Sequence, residues 1–416
     1  MENTGRKNND IDGNVGMGQP DDNGFVRPFV QPRGRRPFAV VFLLVALGAV
    51  VAAFVYFALY QTGHIHVTRE FSDGSIFSGY WRMGEPFGEG VLVTSKGELF
   101  EGVWDDNGKL NSGVVVAKEF TYTGGLKDYL PDGYGACHYK DGTRYHGFWS
   151  AGRKEGLGKL TTAKGDVAFG VWTDGDLPPA EGQTYSTGER VYGIDVSNHQ
   201  YVIDWERLAL YADSAGVVKP SVDSSRYLQP VLFAIIKSTE GADWQADTFK
   251  RNFAEAKRCG IVRGAYHFLR LSDIDGQIKN FIENTPLEPG DLPPVLDMEL
   301  DKREMARYKD LACEYAHKWL DAIERHYGVK PILYTYDSYY NNYLKGKGFD
   351  DYDFFIARYH EDYPRVPHLE IWQYTEKGRA GGITTPVDRD IFMGDYSQFE
   401  SYMDKNKIST IPTRAL

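Results

Sequence analysis

Five glycines, Gly79, Gly102, Gly124, Gly147 and Gly170, follow one another at steps of 23, 22, 23 and 23 residues, and no other feature limits the fold so strongly. A fixed period of this length marks a stack of small units, none of which can bury its apolar face alone. Around three of them the pattern is aromatic-x-Gly-x-Trp: Phe77 to Trp81, Phe100 to Trp104 and Tyr145 to Trp149. Weaker copies surround Gly124, where Leu126 stands for the tryptophan, and Gly170, where Ala168 stands for the first aromatic residue. A second signal follows in each unit, as in Gly88-Glu89-Gly90, Gly133-Tyr134-Gly135 and Gly156-Leu157-Gly158, and predicts a turn into the next strand. Residues 68–175 therefore read as successive antiparallel β-hairpins that must stack to cover their aromatic residues.

Ahead of the repeats, residues 38–60 run for 23 positions without a charge. At 1.5 Å per residue this is enough to cross roughly 30 Å of hydrocarbon. Arg27, Arg33, Arg35 and Arg36 precede it, so the positive-inside rule puts the N-terminus in the cytoplasm and everything downstream outside. The run is longer than the core of a signal peptide and ends in Ala58-Leu59-Tyr60 without a small-x-small site, which favours an uncleaved anchor. Residues 1–37 read as a disordered cytoplasmic tail, 176–190 as a linker containing Pro178, Pro179, Gly182 and Gly188, and 404–416 as a C-terminal tail. The net charge of −11 argues against nucleic acid as a partner, and three cysteines define no disulfide framework. No clustering of His, Cys, Asp and Glu has metal-ligand spacing and no glycine-rich phosphate loop occurs, so neither metal nor cofactor is expected.

The second half of the chain has a different rhythm. Apolar strand-like runs at 231–237, 262–268, 294–299, 331–336, 353–358 and 369–374 alternate, over the earlier part, with helical patterns. The clearest helix runs from Arg303 to Tyr327 with Gly328 at its C-terminal cap, and another covers Thr248 to Cys259. Strand, helix, strand order implies parallel pairing, and a barrel of such units collects its chemistry at the C-terminal ends of its strands. Asp195, Lys237, Tyr266, Glu299, Tyr334 and Trp372 all fall at such ends.

Among these runs, Pro293-Pro294-Val295-Leu296-Asp297-Met298-Glu299 stands out. In extended backbone, Asp297 and Glu299 point to the same side with Cα atoms roughly 7 Å apart. Neighbouring carboxylates push their pKa values apart, leaving one acid protonated and one ionised, as glycoside hydrolysis requires. His267, next to Tyr266, should face the other side of its strand and serve a structural role.

Read in order with Tyr192-Gly193-Ile194-Asp195-Val196-Ser197-Asn198-His199-Gln200, Ile203-Asp204-Trp205, Ile235-Ile236-Lys237-Ser238-Thr239-Glu240-Gly241, Gly264-Ala265-Tyr266-His267-Phe268, Ile371-Trp372-Gln373-Tyr374 and Val387-Asp388, this half resembles the family-25 glycoside hydrolases, the Chalaropsis-type lysozymes. The resemblance implies an irregular barrel over residues 191–403, with five βα units and three further strands. It implies cleavage of the β-1,4 bond from N-acetylmuramic acid to N-acetylglucosamine in peptidoglycan. It further implies Glu299 as general acid, Asp297 as stabiliser or nucleophile, and Asp195 and Asp388 as the remaining active-site acids, with Asp390 the rival of Asp388. Tyr266, Tyr334, Trp372, Gln373 and Lys237 would contact the substrate, although Lys237 and Glu240 could equally form a structural ion pair. Two departures stand out: Tyr201 occupies a position where the family usually has a small residue, and a longer connection, including Gly216 to Pro230, flanks one side of the barrel. The repeats resemble MORN repeats.

The whole reads as an N-terminal transmembrane helix, an elongated antiparallel repeat sheet and a C-terminal irregular (β/α) barrel. Such a chain would be a single-pass membrane protein acting on peptidoglycan glycan strands, its repeats a spacer with a core separate from that of the barrel. The alternative is a catalytically weak wall-binding or assembly module whose repeats recruit a protein or glycan partner.

Overall fold

The computed structural model describes residues 37–177, 190–225 and 227–409, with side chains from residue 41 onward. Nearly all of the tail 1–37, most of the linker 176–190 and the end of the tail 404–416 lie outside the described residues. The first element, α1 (Pro37–Thr62), carries no acidic or basic residue in its terminal turns. Its segment Val41–Thr62 has a mean hydropathy of 2.7, and so is long and apolar enough to cross a membrane.

Ten strands, from Ile65–Glu70 to Val167–Trp172, form a single sheet in simple sequence order. Its organising device is a ladder of glycines. Gly79, Gly90, Gly102, Gly113, Gly124, Gly135, Gly147, Gly158 and Gly170 face one another in register across nine consecutive strands. Aromatic rings lie directly over this ladder. A Cβ at Gly90 would sit 2.6 Å from the Phe77 ring, and one at Gly158 would sit 2.1 Å from the Tyr145 hydroxyl. Tyr145 packs edge-on against both its own Trp149 (5.1 Å between centroids) and Trp172 of the next unit (5.3 Å). The indoles of Trp149 and Trp172 donate to the carbonyls of Gly135 and Gly158, so each unit is closed by its neighbour. Gly158→Ala is expected to destabilise the sheet by about 3 kcal/mol, since a single methyl in so tight a core forces backbone movement. Denaturant unfolding would show the shift.

The second glycine signal does not mark the turns. Gly88, Gly133 and Gly156 lie within strands Glu85–Val93, Leu130–Tyr139 and Arg153–Thr161. The reversals are made instead by adjacent positive-φ pairs such as Met83 and Gly84, Asp128 and Tyr129, and Ala151 and Gly152. Positive φ at both central residues suits the right-handed twist of hairpin strands.

The second half closes eight strands into a barrel: β1 (Val191–Val196), β2 (Phe233–Glu240), β3 (Val262–Phe268), β4 (Val295–Asp297), β5 (Ile332–Tyr336), β6 (Asp353–Ala357), β7 (Leu369–Gly378) and β8 (Val387–Phe392). Their order around the barrel is β1-β8-β7-β6-β5-β4-β3-β2, with β2 pairing back onto β1. All neighbours are parallel except β8, which runs antiparallel to β7 and β1. The crossovers carry α2 (Phe249–Arg258), α3 (Ile274–Asn284) and α4 (Lys302–Tyr327), the last ending at a left-handed Gly328. Among the described residues, the β1 to β2 crossover carries no α-helix. Short 3-10 turns lead into strands Ala209–Ala212 and Tyr227–Pro230, which pair outside the barrel. The fully buried Arg389 guanidinium anchors the long connection by donating to the carbonyls of Lys219 and Val222.

Repeats and barrel pack against one another along a seam, while the buried clusters of the barrel draw only the partly buried Tyr134 from the sheet. The seam is lined by Tyr134, His146, Leu157, Lys159 and Phe169 of the sheet and by Trp205, Leu208, Pro230, Val231, Cys259 and Ile261 of the barrel half. Lys159 Nζ donates to the Gly260 carbonyl at 2.8 Å, and the Arg258 guanidinium lies 5.1 Å from the Tyr134 ring centroid. Gly260, at φ +66°, has no room for a side chain because a Cβ would meet the His146 imidazole at 2.6 Å. Strand Tyr227–Pro230 lies against Val167–Trp172, so the long connection also supports this contact. Because Val231 and Ile261 precede β2 and β3, the sheet meets the barrel at the N-terminal ends of these strands. The C-terminal ends stay open.

Candidate active site

At those C-terminal ends is a cavity of about 150 Å³ lined by Asp195, Tyr266, Val295, Asp297, Glu299, Tyr334, Tyr336, Phe355, Tyr359, Gln373, Glu376 and Asp388. Strand alternation explains how the acid pair reaches it. Met298, fully buried, points away and its N–H donates to the Tyr334 carbonyl, while Asp297 and Glu299 on either side face the cavity. The Thr335 hydroxyl donates to the Met298 carbonyl at 2.7 Å and holds the segment beside β5. Asp297 is 5% exposed and its Oδ1 has no hydrogen-bond partner among the described residues, whereas Glu299 is only half-buried.

Burial raises the pKa of both acids. Glu299 is pushed up to about 7, with Lys237 and a hydrogen bond from Tyr336 opposing the rise. Asp297 is pushed well above the usual carboxylate range, first by burial and then by the charge of Glu299. The two acids therefore titrate as a pair, in keeping with the expectation that neighbouring carboxylates share one proton.

On the opposite wall, pairing of β1 with β8 sets Asp195 against Asp388. Burial and the neighbouring Asp388 and Asp390 hold Asp195 well above its ordinary value, while Asp388 is pushed up to about 6 by burial, against a hydrogen bond from Asp195. Asp390, two residues further along the same strand, is fully buried and does not line the cavity. Gln373 joins the walls: its Nε2 donates to Asp195 Oδ2 at 2.6 Å, and its Oε1 accepts from Tyr334 (3.2 Å) and Tyr359 (2.7 Å).

Two nominated contacts are not among the residues that line the cavity. Trp372 is adjacent to Gln373 and so faces the other side of β7, where its indole donates to the Arg358 carbonyl. Lys237 Nζ binds Glu240 at 2.7 Å and sits within 6 Å of the Trp244, Tyr266 and Phe268 ring centroids, outside the cavity lining. His267 is fully buried between Thr239 and Gln277, and burial lowers its pKa to about 4. Tyr336, Tyr359 and Glu376 line the cavity without having been nominated. Tyr336 was within reach of the alternation argument, being two residues beyond Tyr334. Glu376 was not, because β7 shifts register between Gln373 and Gly378.

Comparison with known proteins shows the family. Residues 194–383 match Glycosyl hydrolases family 25, and residues 77–98, 122–144 and 145–167 match the MORN repeat. The chain is 31% identical to Escherichia coli K12 YegX over 217 residues, covering 51% of this chain and 74% of that protein. It is also 31% identical to Lysozyme M1 of Streptomyces globisporus over 223 residues, 49% of this chain and 68% of that one. The chain belongs to glycosyl hydrolase family 25. Among solved structures, the bacterial lysozyme from Streptomyces coelicolor is similar at 28% identity and a TM-score of 0.43, covering 52% of this chain and 97% of that one. This family-25 member is thus a glycoside hydrolase of lysozyme type, preceded by MORN repeats.

Proposed function

We propose that the chain is a membrane-anchored muramidase that cleaves the N-acetylmuramic acid to N-acetylglucosamine bond of peptidoglycan, held by α1 with its barrel outside the cytoplasm. One observation carries the assignment of roles: a half-exposed Glu299 and a buried Asp297 share one side of a cleft whose far wall is Asp195 and Asp388. Glu299, the more accessible, delivers the proton to the leaving glycosidic oxygen. Asp297 carries the pair's negative charge against the developing oxocarbenium ion, and the productive state puts the shared proton on Glu299. Gln373 and the tyrosines around it fix the far wall and offer hydrogen bonds to the sugar. Incubating purified peptidoglycan with the full chain should release glycan fragments with muramic acid at the new reducing end. Fragments ending in N-acetylglucosamine, or none, would overturn the proposal.

The raised Glu299 value gives a pH dependence with a definite sign. Because about 7 lies above the ordinary 4.5, the fold favours the protonated acid. That contribution to stability is complete below about pH 4.5 and is lost as pH rises through 7. Hydrolysis should decline over the same alkaline limb as the donor loses its proton. The melting temperature of Glu299→Gln relative to the unmodified chain should rise between pH 4.5 and 7 and level off above. A difference that does not change with pH would remove Glu299 as the titrating group.

A further inference from the structure

The loop after β1 contains a residue whose backbone is strained and whose side chain has no polar or ring partner among the described residues. Tyr201, which caps the 3-10 turn Asn198–Gln200, has φ 47° and ψ −114°, a conformation suited to glycine and costly for any other residue. Tyr201 is 69% exposed, as is Val202 beside it. Among the described residues the ring makes no hydrogen bond or ring contact. The strain is held in place by the surroundings. Ser197 closes a capping box with Gln200, Asn198 Oδ1 accepts from the Thr248 hydroxyl at 2.9 Å, and the Asp204 N–H donates to the Gly382 carbonyl at 2.9 Å. Gln200 Nε2 donates to the Pro386 carbonyl at 3.0 Å, two residues before Asp388. Tyr201 therefore stands on the rim of the cleft, on the Asp195 and Asp388 side.

An exposed ring kept at a conformational cost, and fixed relative to a cleft, points to an external partner. We infer that Tyr201 is an outlying contact for the glycan strand, its face stacking on the apolar face of a sugar ring beyond those held in the cavity. This rests on the muramidase reading for the identity of the ligand. The polymer is favoured because a cavity of about 150 Å³ holds only a short stretch of sugar, and the turn that carries Tyr201 is tied to Pro386, two residues before Asp388. A flat ring with few rotamers presents apolar area at small entropic cost.

The test uses the full chain in detergent with Glu299→Gln, so that ligands are not consumed. Binding is measured to long peptide-free glycan strands and to a tetrasaccharide of alternating N-acetylglucosamine and N-acetylmuramic acid. Adding Tyr201→Gly should weaken binding of long strands roughly 5- to 10-fold, the size of one lost aromatic contact, and leave the tetrasaccharide unchanged. It should also raise the melting temperature by about 2–4 °C as the strain is relieved. Tyr201→Phe, which keeps the face, should retain long-strand binding. Equal loss for both ligands, no loss for either, or a fall in melting temperature that accompanies the loss would overturn the inference. Failure of the muramidase reading shows separately, as an unmodified chain that binds strands without making new reducing ends.

Discussion

Glu299→Gln is expected to lower hydrolysis of purified peptidoglycan by about 100- to 10,000-fold while the chain folds and still binds glycan. The amide has nearly the shape of the protonated acid but no proton to deliver, so the loss falls on the chemical step. Because Glu299 is only half-buried, and Tyr336 beside it can hydrogen-bond to an amide oxygen, the variant should retain the cleft. Near-normal release of reducing ends by a folded variant would show that another group is the donor, and Glu376 would be the first to examine since it lines the same cavity.

Removal of the repeats, residues 68–175, should damage the barrel rather than merely shorten its reach. Trp205, Leu208, Val231 and Ile261 are buried and line the seam with the sheet, and deletion would open them to water. At roughly 1 kcal/mol for each partly uncovered side chain, the loss is about 4 kcal/mol, or about 10 °C in melting temperature. The Gly260 carbonyl would also lose its lysine donor. The expected result is a fragment that melts early and aggregates, with reduced hydrolysis even of dispersed glycan. A fragment with unchanged melting temperature and activity would restore the view of the repeats as a detachable spacer. A milder version, Tyr134→Ala, removes one seam ring that reaches towards the Cys259 carbonyl, and should lower the melting temperature without touching the cleft.

Much of this architecture is written in short-range order. The 22- and 23-residue glycine period predicted stacked hairpins, because only glycine leaves room under the rings of Phe77, Tyr122 and Tyr145. Two-residue alternation placed Asp297 and Glu299 on one face and turned His267 away from Tyr266. The pattern of α4 and its Gly328 cap were equally plain. α3 was hidden because the face it buries is partly polar: Gln277 binds His267 and Arg270, and Asn280 binds the Gly241 and Trp244 carbonyls.

Steric period and local propensity suffice to read the repeat sheet, the barrel strands, the apolar helix, and which acids share a face. Packing between distant segments set which side of β7 lines the cavity, brought Tyr359 and Glu376 into it, and laid the long connection and the repeats against the barrel. It also set the burial that raises the pKa of both acids. The reason is physical. A strand's alternation is set by its own backbone, but the burial that raises Asp297 and the seam that joins Lys159 to Gly260, 101 residues away, exist only when distant segments are packed.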